Sequence, residues 1–122
     1  MRNAECGMNG QNVIEAKSFS FAIRIVRLCQ YLSSEKKEYV LSRQLLKSGT
    51  SIGANICEAE KGQSKADFVA KMSIALKEAN ETDYWLRLLY ETEYLTNTQF
   101  DSLNKDINEI ISILVAITKN SK

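Results

Sequence analysis

Histidine and proline are both absent from the 122 residues, and glycine occurs only five times. Without histidine the chain lacks the commonest general base, the commonest metal ligand and the side chain that titrates near neutral pH. Average usage would place about six prolines in a chain of this length. With none, no backbone N–H is missing and no helix is forced to kink or stop. Charge of one sign is missing too: 16 Lys+Arg against 15 Asp+Glu leave +1, so the molecule as a whole exerts no pull on nucleic acid or an anionic membrane. The three cysteines, Cys6, Cys29 and Cys57, are widely spaced with no Cys-x-x-Cys pair. That excludes a zinc set and reads most simply as reduced thiols in a cytosolic protein. The N-terminal residues have no apolar core of a secretory signal, and the most apolar run, Ile110 to Ile117, is too short to span a bilayer. The expectation is one soluble, cytoplasmic domain with no cofactor, no metal site, no catalytic residue, no small-molecule substrate and no membrane partner.

What is present is helical periodicity. A polar leader over residues 1–12 precedes a bundle over residues 13–122. The first segment, about Val13 to Leu32, has two adjacent apolar stripes: Phe19, Ala22, Ile23, Val26 and Cys29 beside Phe21, Ile25, Leu28 and Leu32. So wide an arc exceeds what one bundle core requires. Ser33-Ser34 reads as an N-cap with Glu35 in the first turn of a second helix. This helix is expected from about Glu35 to Glu60, with Leu41, Leu45, Ser48, Ile52 and Ala59 on one stripe. The stripes stay in phase across Gly49 and Gly53, so the helix is expected to be continuous, although each glycine costs about 1 kcal/mol against alanine. At that spacing the two glycines lie on one face and let another backbone approach; they are candidate helix-packing residues. Gly62 suits a C′ position.

Ser64-Lys65-Ala66-Asp67 opens a third helix to about Tyr94 as a capping box, with Phe68, Met72, Ala75, Leu76, Ala79, Leu86 and Leu89 as its main stripe. Thr96-Asn97-Thr98-Gln99 is a second capping-box candidate. The fourth helix, about Thr98 to Lys119, carries Phe100, Leu103, Ile107, Ile110, Leu114 and Ile117 in 3-4 alternation. Breaks this short force antiparallel neighbours. The predicted fold is all-α, an up-down-up-down four-helix bundle.

Chemistry is thin. Glu78 and Glu81, with Asp83 nearby, could form an all-carboxylate metal site, but bundle metal centres use Glu-x-x-His pairs, and a solvated face accounts better for these carboxylates. Cys29 and Cys57 lie on apolar stripes as buried residues rather than activated nucleophiles. Residues 15–34 carry +2, from Lys17, Arg24 and Arg27 against Glu15, whereas residues 62–94 carry four basic against six acidic groups. Lys17, Arg24 and Arg27 share a helical strip that could follow a phosphate backbone, with Tyr31 available for stacking; these four are the candidate RNA contacts.

The stretch Ser48-Gly49-Thr50-Ser51-Ile52-Gly53-Ala54-Asn55-Ile56-Cys57-Glu58-Ala59, then Ser64-Lys65-Ala66-Asp67-Phe68, then Ile74 to Leu86, resembles the four-helix bundle proteins encoded in intervening sequences of bacterial large-subunit ribosomal RNA genes. The resemblance covers about residues 13 to 119. It implies an antiparallel bundle assembling as a homopentamer, similar in fold to the accessory subunit of diversity-generating retroelements, which is associated with RNA and a reverse transcriptase. No enzymatic activity is implied. In place of the Phe-Pro and Tyr-Gly-Leu linker of many members stands Ser33-Ser34-Glu35-Lys36-Lys37-Glu38, and the near-neutral charge departs from the strongly basic retroelement relatives.

The surplus apolar stripes call for a partner, because large exposed apolar patches on soluble proteins mark interfaces. The leading expectation is therefore a non-enzymatic, homo-oligomeric scaffold or adaptor contacting RNA through the first helix. A dedicated RNA-binding protein is the alternative, and a carboxylate metal carrier or enzyme stands last.

Overall fold

The structure, a computed structural model, describes residues 12–120, and all but residue 12 of the expected leader lies outside them. Four helices follow in order: α1 (Asn12–Ser34), α2 (Leu41–Glu60), α3 (Lys65–Glu91) and α4 (Asn97–Asn120). Each packs against the next, and α1 closes the bundle against α4 with the sparsest of the four seams. There are no strands among the described residues. The all-α four-helix bundle read from the periodicity is the observed fold.

Each helix turns one stripe inward. Phe21, Ile25, Leu28 and Leu32 of α1 are buried, as are Leu45, Ile52, Ile56 and Ala59 of α2. Met72, Ala75, Ala79, Leu86 and Leu89 come from α3, and Leu103, Ile107, Ile110 and Leu114 from α4. Burial of the larger of these side chains, the leucines, isoleucines, Phe21 and Met72, contributes about 1.5–3 kcal/mol each. A polar pair interrupts the apolar layer. Thr82 and Ser48 are buried where α3 crosses α2, and Thr82 Oγ1 stands 2.9 Å from Ser48 Oγ and 2.8 Å from the Glu78 carbonyl oxygen. Buried hydroxyls satisfied in this way avoid the desolvation cost of an unpaired group.

The helix ends differ from expectation in three places. Ser33 and Ser34 do not cap α2; they complete α1, and residues 35–40 form the connection. The cap is Glu38. Its buried carboxylate accepts from the backbone N–H groups of Val40, Leu41 and Ser42 at 3.2, 2.9 and 2.7 Å, while Ser42 Oγ donates to the Glu38 carbonyl at 2.9 Å. An anion on the orphan donors of a helix N-terminus is favoured by hydrogen bonding and by the dipole together.

Secondly, α3 stops at Glu91 rather than Tyr94. The Tyr94 N–H reaches back to the Leu89 carbonyl at 2.9 Å and the Glu93 N–H to Tyr90 at 3.0 Å. That is a Schellman ending with Glu93 at φ 71° where glycine is usual. Thirdly, Gly62 does not use a left-handed conformation. α2 ends instead on tightened bonds from the Lys61 and Gly62 N–H groups to Glu58 and Ala59. Ser64 caps α3, its Oγ accepting the Asp67 N–H at 3.1 Å, and Thr96 and Gln99 form a full capping box with exchanged bonds of 2.9 and 3.1 Å.

Candidate interaction surfaces

The surplus stripe of α1 faces outward. Phe19, Ile23 and Val26 are 43, 41 and 37 % exposed, and Leu46 on the adjoining edge of α2 is 38 % exposed. Phe19, Ala22, Ile23 and Val26 line a shallow groove of about 420 Å3 flanked by Arg27 and Gln30. Val26 and Gln30 continue into a second hollow with Cys29, Tyr39 and Leu46. The apolar surface is thus continuous across the α1–α2 edge. On α3, Leu76 and the exposed Tyr84 border a separate hollow of about 500 Å3 with Ser73, Lys77, Asn80 and Glu81.

Close approach of α1 and α2 brings this surface together. Gly49 lies against the buried Ile25, where an added Cβ would stand 2.9 Å from Ile25 Cγ2. One turn on, a Cβ at Gly53 would stand 3.3 Å from Ser18 Oγ. α2 is continuous across both glycines.

The basic strip has internal partners. Lys17 Nζ pairs with Glu109 of α4 at 3.1 Å. Arg24 pairs with Asp106, and its second amino group donates to Ser102 Oγ at 2.8 Å. Lys17 and Arg24 therefore bridge the sparse α1–α4 seam, while Arg27 flanks the apolar groove and Tyr31 lies at the end of the bundle. The four candidate contacts do not form one unpaired cationic track.

No three carboxylates or cysteines among the described residues converge as a metal site. Burial, then the neighbouring Glu81, raises the Glu78 carboxyl above the ordinary range, opposed by Lys77 and Lys47. Cys29 is free and buried, its thiol donating to the Ser42 carbonyl at 3.2 Å. Burial, then Glu38, pushes that thiol up to about 11, which suppresses the nucleophilic thiolate. Cys57 is half-buried.

A cleft that the periodicity did not reveal lies where α1 and α3 end and α4 begins. It measures about 520 Å3, and its lining includes Tyr31, Lys36, Tyr90, Glu91, Glu93 and Tyr94. Tyr90 stacks on Phe100 with centroids 4.5 Å apart and planes at 16°, and its hydroxyl donates to Asn97 Oδ1.

A family model for the 23S rRNA-intervening sequence protein matches residues 11–116. The chain belongs to this family. Among solved structures, it is similar to a protein of unknown function from the S23 ribosomal protein family of Bacteroides thetaiotaomicron VPI-5482. The two share 58 % identity with a TM-score of 0.88, over 89 % of this chain and 97 % of that one. No curated protein matches it. No helix among the described residues of this intervening-sequence protein is long and apolar enough to cross a membrane.

Proposed function

We propose that this intervening-sequence family protein is a non-enzymatic, homo-oligomeric four-helix bundle acting as a scaffold or adaptor. The observation that carries the reading is the outward apolar surface of Phe19, Ile23, Val26 and Leu46, which the bundle's own core leaves uncovered. A second copy supplies the matching apolar surface. The hollow beside Tyr84 on α3 is a different patch from the α1–α2 edge. Two unlike patches joined head to tail close into a ring when the rotation between copies closes, whereas one self-complementary patch makes a two-fold dimer. Assembly near five copies, the number the family resemblance implies, fits the head-to-tail arrangement.

Light scattering on the purified protein should give a mass near five times 13.8 kDa. The double substitution Ile23→Asp/Val26→Asp should reduce it to the protomer without loss of helical circular dichroism. A wild-type protein that stays monomeric or dimeric at micromolar concentration overturns the assembly. RNA contact along α1 is the lesser reading, because Lys17 and Arg24 already face α4 carboxylates. It requires binding that falls steeply with salt as phosphates release counterions.

A further inference from the structure

We propose that the cleft at the α1/α3/α4 end receives an arginine side chain from a basic segment of a partner protein. Three tyrosines, Tyr31, Tyr90 and Tyr94, line it together with Glu91 and Glu93. Among the described residues, neither carboxylate is ion-paired. Arg87, one turn before Glu91, instead pairs with Asp83 at 3.4 Å. The one cation in the lining, Lys36, leaves the cleft with net charge −1. Phosphate is therefore disfavoured, and a cation is drawn in.

Aromatic side chains and carboxylates together in one lining select the guanidinium group among cations. It is planar, stacks on aromatic faces and spans a carboxylate with two parallel N–H donors, whereas an ammonium is a compact and strongly hydrated point charge. The site is complete within one protomer, so it stands or falls independently of the assembly proposed above.

The test is a titration of the full chain, labelled with 13C-tyrosine, with an acetylated Gly-Gly-Arg-Gly-Gly amide at low salt. Saturable shifts are expected at the Tyr31, Tyr90 and Tyr94 rings. The same peptide with citrulline, which keeps the shape and loses the charge, should bind at least fivefold more weakly. Glu91→Gln/Glu93→Gln should weaken the arginine peptide by a similar factor, and Lys36→Ala should tighten it. Both are exposed substitutions that leave the core untouched. Equal binding of the citrulline peptide, shifts confined to other tyrosines, or an oligouridine that perturbs the same rings more tightly than the arginine peptide would each overturn the proposal.

Discussion

Alanine at Gly49 and alanine at Gly53 should have opposite effects on stability, although both replace a glycine in the same helix. In an exposed helix either change would gain about 1 kcal/mol from helix propensity. At Gly53 the new Cβ meets Ser18 Oγ at 3.3 Å and the Ser18 backbone carbon at 3.7 Å, contacts that a small shift relieves. Most of the gain survives there, about 0.5 kcal/mol. At Gly49 the new Cβ would stand 2.9, 3.0 and 3.3 Å from three carbons of Ile25, which is fully buried. A β-branched side chain in a helix has one strongly preferred rotamer, so Ile25 cannot swing aside, and α1 must move away from α2. Overpacking of this kind costs about 1–3 kcal/mol, leaving Gly49→Ala destabilised by about 1 kcal/mol after the propensity gain.

Urea unfolding followed by circular dichroism, at one fixed protein concentration so that self-association does not shift the midpoint, measures the two variants directly. The double variant Ile25→Ala/Gly49→Ala isolates the contact. Removing the branched carbons turns Gly49→Ala from unfavourable to favourable, a coupling of about 2 kcal/mol in a double-mutant cycle. Equal stabilisation by both alanines, or a coupling near zero, would refute the claim that Gly49 sets the α1–α2 distance.

Three further outcomes follow from the buried polar groups. Glu38→Ala leaves the N–H groups of Val40, Leu41 and Ser42 without their acceptor and should cost about 2 kcal/mol, whereas Glu38→Gln keeps an oxygen and should cost less; chemical denaturation compares them. Cys29 has a native pKa raised from 9.0 to about 11, so its contribution to stability is complete below pH 9 and lost as pH rises through about 11. Denaturation at pH 8 and pH 10.5 should differ by more in wild type than in Cys29→Ala. Thr82→Val removes the hydroxyl facing Ser48 and the Glu78 carbonyl and should destabilise by about 1–2 kcal/mol, most of it recovered when Ser48→Ala is added.

The core was legible because burial follows the 3.6-residue period on every helix, and α4 shows this most directly, with Leu103, Ile107, Ile110 and Leu114 all inside. The surplus arc on α1 was legible too, but which of its two stripes would face inward was not. In the bundle the Ile25 side of α1 lies against Gly49 of α2. The start of α2 is not legible, because Ser33 and Ser34 have cap chemistry while the cap is Glu38, a residue type usually found inside the first turn. Lys37 and Glu93 adopt φ of 56° and 71° without being glycine, so no residue type announced those turns. The tyrosine cleft escaped for a different reason: Tyr31, Lys36, Tyr90 and Tyr94 come from two helix ends about 60 residues apart in the chain, and period alone cannot join them. Thr82 carries no periodic signal of its own, and its match across the bundle is Ser48, which lies on a stripe of α2.

The charged seam bears on function through what remains when its ion pairs open. Exposed salt bridges contribute only about 0–1 kcal/mol each, so a polyanion could draw Lys17 and Arg24 away from α4 at small cost. The carboxylates would stay behind. Lys17 and Arg24 bring +2 to this seam, and Asp106 and Glu109 return −2, so the paired groups offer a phosphate backbone no residual positive charge however they are arranged. The antiparallel register makes this unavoidable: Arg24 faces Asp106 and Lys17 faces Glu109, so the acidic strip of α4 runs alongside the basic strip of α1. Asp106→Asn/Glu109→Gln therefore separates the two uses of the seam. If RNA binds this face, the variant should bind more tightly and with a steeper salt dependence, since counterion release scales with the phosphates neutralised. If the seam only joins α1 to α4, the variant should lose a fraction of a kcal/mol of stability, about what exposed pairs contribute, and gain no affinity for RNA at any salt concentration.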